Sequence, residues 1–191
     1  NDDGWRSLRD LEAAGVTVGA VIDPRADHGQ NANCRVLQGV VTGTRGRLGL
    51  SGVRVRMADG QSMWIEADCL AVSGGWNPTV HMACHMNGRP VWRDDIAAFV
   101  PQPDMVPGMI AAGACAGGFT TRDCLTQGVA AATEALGALH GTVPAVDLPQ
   151  ADDAPYALTP LWAVAGKGRA WLDFQNDVTT KDVRQAAREN M

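Results

Sequence analysis

A glycine-rich loop between an apolar run and a long helical pattern is the most restrictive feature of this sequence. Met109–Ala112 predicts a tight buried strand, and it opens into Gly113-Ala-Cys-Ala-Gly-Gly-Phe119. Thr120 or Thr121 can cap the helix that follows, and Gly141 can end it. The spacing of that helix predicts a single buried stripe made of Leu125, Val129, Ala132, Leu136 and Leu139. A strand that leads through glycines into a helix is typical of α/β nucleotide-binding folds.

The first residues predict a helix followed by a strand. Apolar residues recur at every third position of the helix, at Trp5, Leu8 and Leu11. Asp2 or Asp3 can cap it, and Gly15 can end it in the left-handed conformation. The run Val16–Ile22 stops at Asp23 and fits a strand buried on both faces, as in a parallel sheet. These elements make up one half of a βαβ unit.

Residues 34 to 72 predict further strands, two of them joined as a hairpin. Cys34–Val41 is one strand candidate. Val53–Met57 alternates strictly, turns at Asp59-Gly60 and returns at Met63–Ile65, which is the pattern of a β-hairpin. Asp68–Val72 predicts another buried strand.

The chemistry of these loops suits a nucleotide without requiring one. Gly113, Gly117 and Gly118 offer backbone N–H groups before a helix start, which is what a pyrophosphate needs. Asp23, at a strand end, is placed where a carboxylate meets a ribose hydroxyl. The fingerprint G-x-G-x-x-G is absent, and the carboxylates in Asn1-Asp-Asp-Gly4 would repel a phosphate. Because glycine before a helix is also common where nothing binds, both interpretations stay open.

Composition excludes several classes of function. Sixteen basic and twenty-one acidic residues give a net charge of −5, which argues against nucleic acid as the main partner. No apolar run reaches the roughly 18 residues that cross a bilayer. Five cysteines without a C-x-x-C motif indicate reduced thiols in the cytoplasm. The sequence begins without Met and inside a folded pattern, so we expect a piece of a longer protein.

No catalytic motif stands out. His81, Cys84 and His85 share one face of a short helix predicted over Thr79–Met86, but no fourth zinc ligand is indicated, and the spacing favours an ordinary helix face. Cys115 lacks an evident base, which favours a small buried thiol. Ser-His-Asp patterns, paired carboxylates and a Gly-Lys-Ser/Thr phosphate loop are all missing. We therefore expect no catalytic residue and no metal in this chain.

The order of these elements resembles the pyridine-nucleotide/disulfide oxidoreductase fold, entered part way through. Val72–Gly75 is similar to the segment that crosses back into the larger domain, and Ala112–Ala114 to the late glycine motif that closes its nucleotide site. Three stretches look closer still to the α-subunit family of heterotetrameric sarcosine oxidases: Asn1–Gly4 with the following helix and strand, Ala112–Thr121, and Trp171–Thr179. The resemblance spans essentially the whole chain.

The resemblance implies a function for the assembly. The family demethylates sarcosine oxidatively to glycine with O2, giving hydrogen peroxide and formaldehyde or, with tetrahydrofolate, methylene-tetrahydrofolate. It implies FAD on the β subunit, FMN near the α–β interface, and NAD together with a C-terminal folate domain in the α subunit. This chain would be the middle of that α subunit, with β, γ and δ subunits as partners.

Two departures from the related patterns bear on cofactors. Flavin-binding relatives carry Asp after the late glycine, where its carboxylate holds the ribityl chain, whereas this sequence has Ala114. That change argues against FAD at this site and is compatible with NAD. The C-terminal stretch resembles a ferredoxin-like module, but Asp173, Gln175 and Asn176 stand where cluster cysteines would be. Because an iron–sulfur cluster needs thiolates, none is expected.

The predicted fold is α/β, with partial Rossmann-like nucleotide-binding domains of the disulfide-oxidoreductase type, a β-hairpin insertion and a small α/β module. Its predicted parts are residues 1–72, the partial inserted domain with the hairpin; 73–143, the C-terminal half of the larger dinucleotide domain; 144–160, a Pro-rich linker; and 161–191, the start of the ferredoxin-like module. The predicted NAD contacts are Ser73, Gly74, Gly75, Gly113, Ala114, Phe119, Thr120 and Thr121.

Two alternatives remain open at this point. The chain could belong to the large subunit of a related flavin-dependent amine dehydrogenase, which only the substrate and electron acceptor would distinguish. It could also be a non-catalytic module that keeps the fold to bind neighbouring subunits. In either case we expect weak NAD binding, or none, by the chain alone, and no activity without its partners.

Overall fold

The computed structural model describes residues 1–142, 144–151, 156–166 and 168–190. The helices in this part of the chain are α1 (Asp3–Ala13), α2 (His81–His85), α3 (Thr121–Ala138) and α4 (Thr180–Arg188). The strands are β1 (Ala20–Asp23), β2 (Arg35–Arg45), β3 (Gly52–Met57), β4 (Ser62–Ile65), β5 (Val91–Arg93), β6 (Ala98–Val100), β7 (Trp171–Asp173) and β8 (Val178–Thr179). These mixed elements confirm the α/β class.

Two units, each made of two separate stretches of sequence, divide the chain. Unit 1 contains Asn1–Val16 and Val72–Leu161, and unit 2 contains Thr17–Ala71 and Trp162–Met191. Residues 143 and 152–155, which belong to the predicted larger domain and linker, lie outside the described residues. The functional domain boundaries proposed from the sequence stay a prediction.

Unit 2 is built on one four-stranded sheet in the order β1-β2-β3-β4. Strand β1 runs parallel to β2, and the other neighbours are antiparallel. Alternation along β3 buries Val53 and Val55 and exposes Arg54, which is how a sheet with one covered face is expected to pattern. The predicted hairpin is present as β3 and β4, with Gly60 in the turn at a φ of 87°.

The C-terminal part of unit 2 holds the small pair β7 and β8, followed by α4. Thr179 caps α4 in a capping box: its side chain accepts from the backbone N–H of Asp182, and the Asp182 carboxylate accepts from the backbone N–H of Thr179 at 2.8 Å.

Unit 1 has its core on the β5–β6 hairpin. The buried side chains there are Ile96, Ala98 and Val100, and Val91, Phe119 and Tyr156 pack against them. In α1, Trp5 and Leu8 are buried, as the three-residue spacing predicts, whereas Leu11, the third residue of that predicted face, is 37% exposed. Asp2 stands at the N-cap of α1, but its side chain makes no capping hydrogen bond.

Helix α3 confirms the predicted start and corrects the predicted burial. Thr120 is the N-cap, and its hydroxyl oxygen accepts from the backbone N–H of Asp123 at 3.0 Å. The predicted stripe, however, is not buried: Leu136 is 39% exposed and Leu139 is 77% exposed. The main packing partner of α3 among the described elements is the short 3-10 turn before it, so most of its apolar face is uncovered.

Two predicted strands are absent from the described residues. Asp68–Val72 and Met109–Ala112 have irregular backbone without a paired neighbour. Apolar composition favours burial of a segment, but a strand also needs a second strand to take its backbone hydrogen bonds. Within the same described ranges, no helix is long and apolar enough to span a membrane.

Candidate functional site

The crossover, defined here as Ser73, Gly74 and Gly75, lies beside the start of α1. The Ser73 hydroxyl donates to the side-chain oxygen of Asn1, and the indole N–H of the next residue, Trp76, donates to the Asp3 carboxylate. All three crossover residues are exposed. The acidic start of α1 therefore faces this segment, and a phosphate placed there would be repelled.

The α3 loop, defined here as residues 113–120, begins with the 3-10 turn Gly113–Ala116. The backbone N–H groups of its three glycines are already engaged in hydrogen bonds within the protein. The N–H of Gly113 donates to Gln127 Oε1 at 2.8 Å, that of Gly117 to the carbonyl of Ala114 at 3.1 Å, and that of Gly118 to the carbonyl of Gly113 at 3.0 Å. These three groups shape the loop. A phosphate at this end would then meet the first-turn N–H groups of α3, which a helix leaves without intrahelical partners.

The remaining predicted contacts divide between the surface and the core. Ala114 is exposed, and Thr120 and Thr121 stand at the positive end of α3. Phe119 is half-buried, with its ring against the core of unit 1. The Cys115 thiol donates to the carbonyl of Ala112 at 3.0 Å, consistent with an ordinary small side chain.

Tyr156 joins the two predicted loops. Its ring packs on the Phe119 ring with 4.7 Å between centroids, and its hydroxyl oxygen accepts from the backbone N–H of Trp76 at 3.1 Å. A methyl group added at Gly75 would lie 3.0 Å from the same hydroxyl. Tyr156 lies in the segment predicted as a Pro-rich linker and was not among the predicted contacts. The signal was a tyrosine, the only one in the chain, within a proline-rich segment.

Arg93 brings a positive charge to the α3 loop. A methyl group at Gly117 would lie 3.1 Å from Arg93 Nη1, so the guanidinium borders this glycine. The guanidinium also forms an ion pair with Asp95. The hydrogen bond from Arg93 lowers the pKa of the Asp95 carboxyl, and the same bond raises the pKa of Arg93. Arg93 was not recognised from the sequence.

Asp23 does not stand open to a ribose. The side chain is 7% exposed, and its carboxylate accepts from the backbone N–H of Arg25 at 3.0 Å and from Arg25 Nη2 at 2.7 Å. The carboxylate is thus committed to an ion pair within unit 2, which satisfies a charge that burial would otherwise destabilise. The expected ribose contact is not supported by this geometry.

The possible zinc ligands lie on the short helix α2, where His81, Cys84 and His85 are all exposed. No group of three His, Cys, Asp or Glu side chains able to hold a metal ion occurs among the described residues.

In the C-terminal module, a turn occupies the place where the cysteines of an iron–sulfur cluster would be expected. The Asp173 carboxylate accepts from the backbone N–H of Gln175 at 2.8 Å and from the side-chain amide of Asn176 at 2.7 Å. The hydrogen bond from the Asn176 side chain contributes most to lowering the pKa of Asp173. These three residues therefore build the β7–β8 connection through local hydrogen bonds.

The sequence is similar to known proteins along essentially its whole length. Residues 167–191 match the family described as the sarcosine oxidase A3 domain. Sarcosine oxidase subunit alpha of Rhizobium meliloti (strain 1021) is 37% identical over 99% of this chain and 20% of its own length. The subunits alpha of Corynebacterium sp. strains P-1 and U-96 are 35% and 34% identical over 97% and 100% of the chain, and over 21% and 22% of their own lengths.

The chain thus spans about a fifth of these relatives, and the similarity runs along essentially its whole length. Over the segment that it covers, this chain is similar to the α subunits of sarcosine oxidase.

Proposed function

We propose that this chain is a segment from the middle of the α subunit of a sarcosine oxidase, where it serves as scaffold and NAD-binding region. The observation that carries the proposal is the identity of 34–37% to three such subunits over nearly all of the chain. In the proposed reaction, sarcosine, O2 and water give glycine, formaldehyde and hydrogen peroxide. With tetrahydrofolate, methylene-tetrahydrofolate replaces free formaldehyde. The chain supplies no catalytic side chain to these steps.

The α3 loop offers more groups to a phosphate than the crossover does. Its end of the site combines the N-terminus of α3, the Thr120 and Thr121 hydroxyls and the guanidinium of Arg93. Arg93 is also paired with Asp95, and Asp123 adds a carboxylate in the first turn of α3. Ala114 offers no carboxylate there. At the crossover, Asp3 opposes a phosphate, so Ser73, Gly74 and Gly75 would contact the uncharged part of the dinucleotide. NAD would be bound here as an intact dinucleotide and would take no part in the oxidation of sarcosine.

The partners and other cofactors follow from the same proposal. FAD and FMN would be held elsewhere in the complex, and β, γ and δ subunits would complete a cytoplasmic hetero-oligomer. A Rossmann-like origin for unit 2 accords with its parallel pair β1 and β2.

The test is to purify the native complex that contains this chain and to measure sarcosine-dependent hydrogen peroxide and bound NAD. We expect peroxide from sarcosine and NAD released on denaturation. An intact, flavin-loaded complex that makes no peroxide but reduces another acceptor with a different amine would favour the amine dehydrogenase. Calorimetry on the chain alone is expected to show weak NAD binding or none, and a micromolar dissociation constant would contradict that expectation.

A second candidate, a non-catalytic module for subunit interaction, is favoured by the exposed apolar side chains. Trp162 is 74% exposed, Phe174 79% and Leu139 77%. Large apolar groups exposed in such number are typical of contacts with other protein. A complex that is active and contains no NAD would support this candidate over NAD binding.

A further inference from the structure

The sole tyrosine of the chain contacts both parts of the proposed dinucleotide site, although it belongs to neither. Tyr156 lies far along the sequence from the crossover and from the α3 loop, and all three are in unit 1. Its ring packs on Phe119 and on the core of Ile96, Ala98 and Val100. That packing fixes the ring to the α3 loop side of the site.

The other end of the same side chain holds the crossover. The phenolic oxygen accepts from the backbone N–H of Trp76 at 3.1 Å, directly after Gly75. Gly75 has a φ of 111°, and a methyl group there would lie 3.0 Å from this oxygen and 3.2 Å from Leu158 Cδ1. The crossover therefore passes close to the phenol, and a methyl group at Gly75 would push Tyr156 and Leu158 away by a few tenths of an ångström.

We infer that Tyr156 is a positioning residue that sets the separation of the crossover and the α3 loop, and so the geometry of the dinucleotide site. The inference rests on the proposed function for its ligand, but the contact itself can be tested without one. The hydroxyl acts on the crossover, while the ring belongs to the core. Removing the hydroxyl alone should therefore loosen the crossover and leave the core packed.

The experiment compares the assembled oxidase with its Tyr156→Phe variant. Hydrogen exchange at the Trp76 amide is expected to accelerate roughly fivefold, as the loss of one partly solvated hydrogen bond would give. The dissociation constant for NAD should rise by a similar factor, while the melting temperature stays within about 2 °C because the ring is kept. Thr159→Ala, which removes an exposed hydroxyl from the same segment, is the matched control and should change none of the three.

The outcomes distinguish the positioning role of Tyr156 from the proposed binding of NAD. Unchanged exchange at Trp76 in Tyr156→Phe would overturn the contact. Faster exchange with an unchanged NAD affinity would overturn the positioning role. An unmodified oxidase that binds no NAD would overturn the proposed function instead, and the exchange comparison would still decide whether Tyr156 holds the crossover.

Discussion

The crossover and the α3 loop are both glycine-bearing segments predicted to contact the same ligand, yet they are held in opposite ways. The crossover is exposed and is held by side chains from elsewhere, those of Asn1 and Tyr156. The α3 loop is held by two backbone hydrogen bonds of its own and by the Gln127 side chain, and its Gly117 is buried against Ile96 and Val100. In the crossover, glycine lets the backbone turn beside Tyr156. In the α3 loop, glycine lets the backbone pack closely against the core.

The largest effect is expected at Gly117, since that glycine meets two constraints. Its φ is 82°, and a methyl group would lie 2.8 Å from Ile96 Cδ1 and 3.0 Å from Val100 Cγ1. Gly117→Ala should therefore lower the free energy of unfolding by about 2–4 kcal/mol. Gly128→Ala, within α3 and with open space around it, should raise it by about 0.5–1 kcal/mol. Urea denaturation of both variants measures their free energies of unfolding. Equal values for the two variants would contradict the packing role assigned to Gly117.

At the crossover, Gly75→Ala should be milder. Its φ of 111° disfavours alanine, but the nearest obstacle is the phenol of Tyr156, which can shift. We expect a loss of about 1–2 kcal/mol in the free energy of unfolding. Gly74→Ala, with nothing within 4 Å and no positive φ, should change stability by less than about 0.5 kcal/mol. Similar denaturation midpoints for the two variants would contradict the role assigned to Gly75.

The cap of α3 is expected to contribute less again. Thr120→Ala removes the oxygen that accepts from the Asp123 N–H, with an expected loss of about 1 kcal/mol. Thr120→Ser keeps that oxygen and should retain most of the stability. Thermal unfolding followed by circular dichroism tests the pair, and a serine variant as unstable as the alanine variant would show that the methyl group matters instead.

The smallest effect concerns charge beside the α3 loop. Because Arg93 lowers the pKa of Asp95, the ion pair stabilises the fold above the ordinary carboxyl pKa, and this contribution is lost as pH falls through the lowered value. Arg93→Gln should raise the pKa of Asp95 towards the ordinary value of an aspartate. Carbon-detected NMR titration of the carboxyl group measures this pKa, and Lys181→Gln, a charge removed in unit 2, is the control. An unchanged Asp95 titration in Arg93→Gln would refute the pairing.

Local features of the fold could be predicted from the sequence. Caps are encoded within a few residues, so the start of α3 could be predicted at Thr120 or Thr121, and Thr120 is the observed N-cap. The alternating run before Asp59-Gly60 likewise specified the β3–β4 hairpin. Each of these features depends on hydrogen bonds and faces that one short segment determines by itself.

Features that depend on a distant partner could not be predicted. The local β5–β6 hairpin also escaped prediction, because Ala97 holds the positive φ of its turn, 48°, where Gly or Asn is usual. The apolar residues of α3 do have helical spacing, but such spacing shows only that they share one face of the helix. It does not show whether another element packs against that face. Tyr156 matters only because folding brings it to Trp76 and Phe119, and neither contact leaves a trace in sequence spacing.

The interleaving of the two units bears on how the chain is made. Unit 1 needs both Asn1–Val16 and Val72–Leu161, with Thr17–Ala71 synthesised between them. At about 5–20 residues per second, α1 would emerge from the ribosome several seconds before the rest of its unit. During that interval Trp5 and Leu8 have no completed core to enter, whereas the sheet of β1 to β4 can already form from one continuous stretch. Vectorial synthesis therefore favours the sheet as the first folded part and leaves α1 to wait for a later stretch of the same polypeptide.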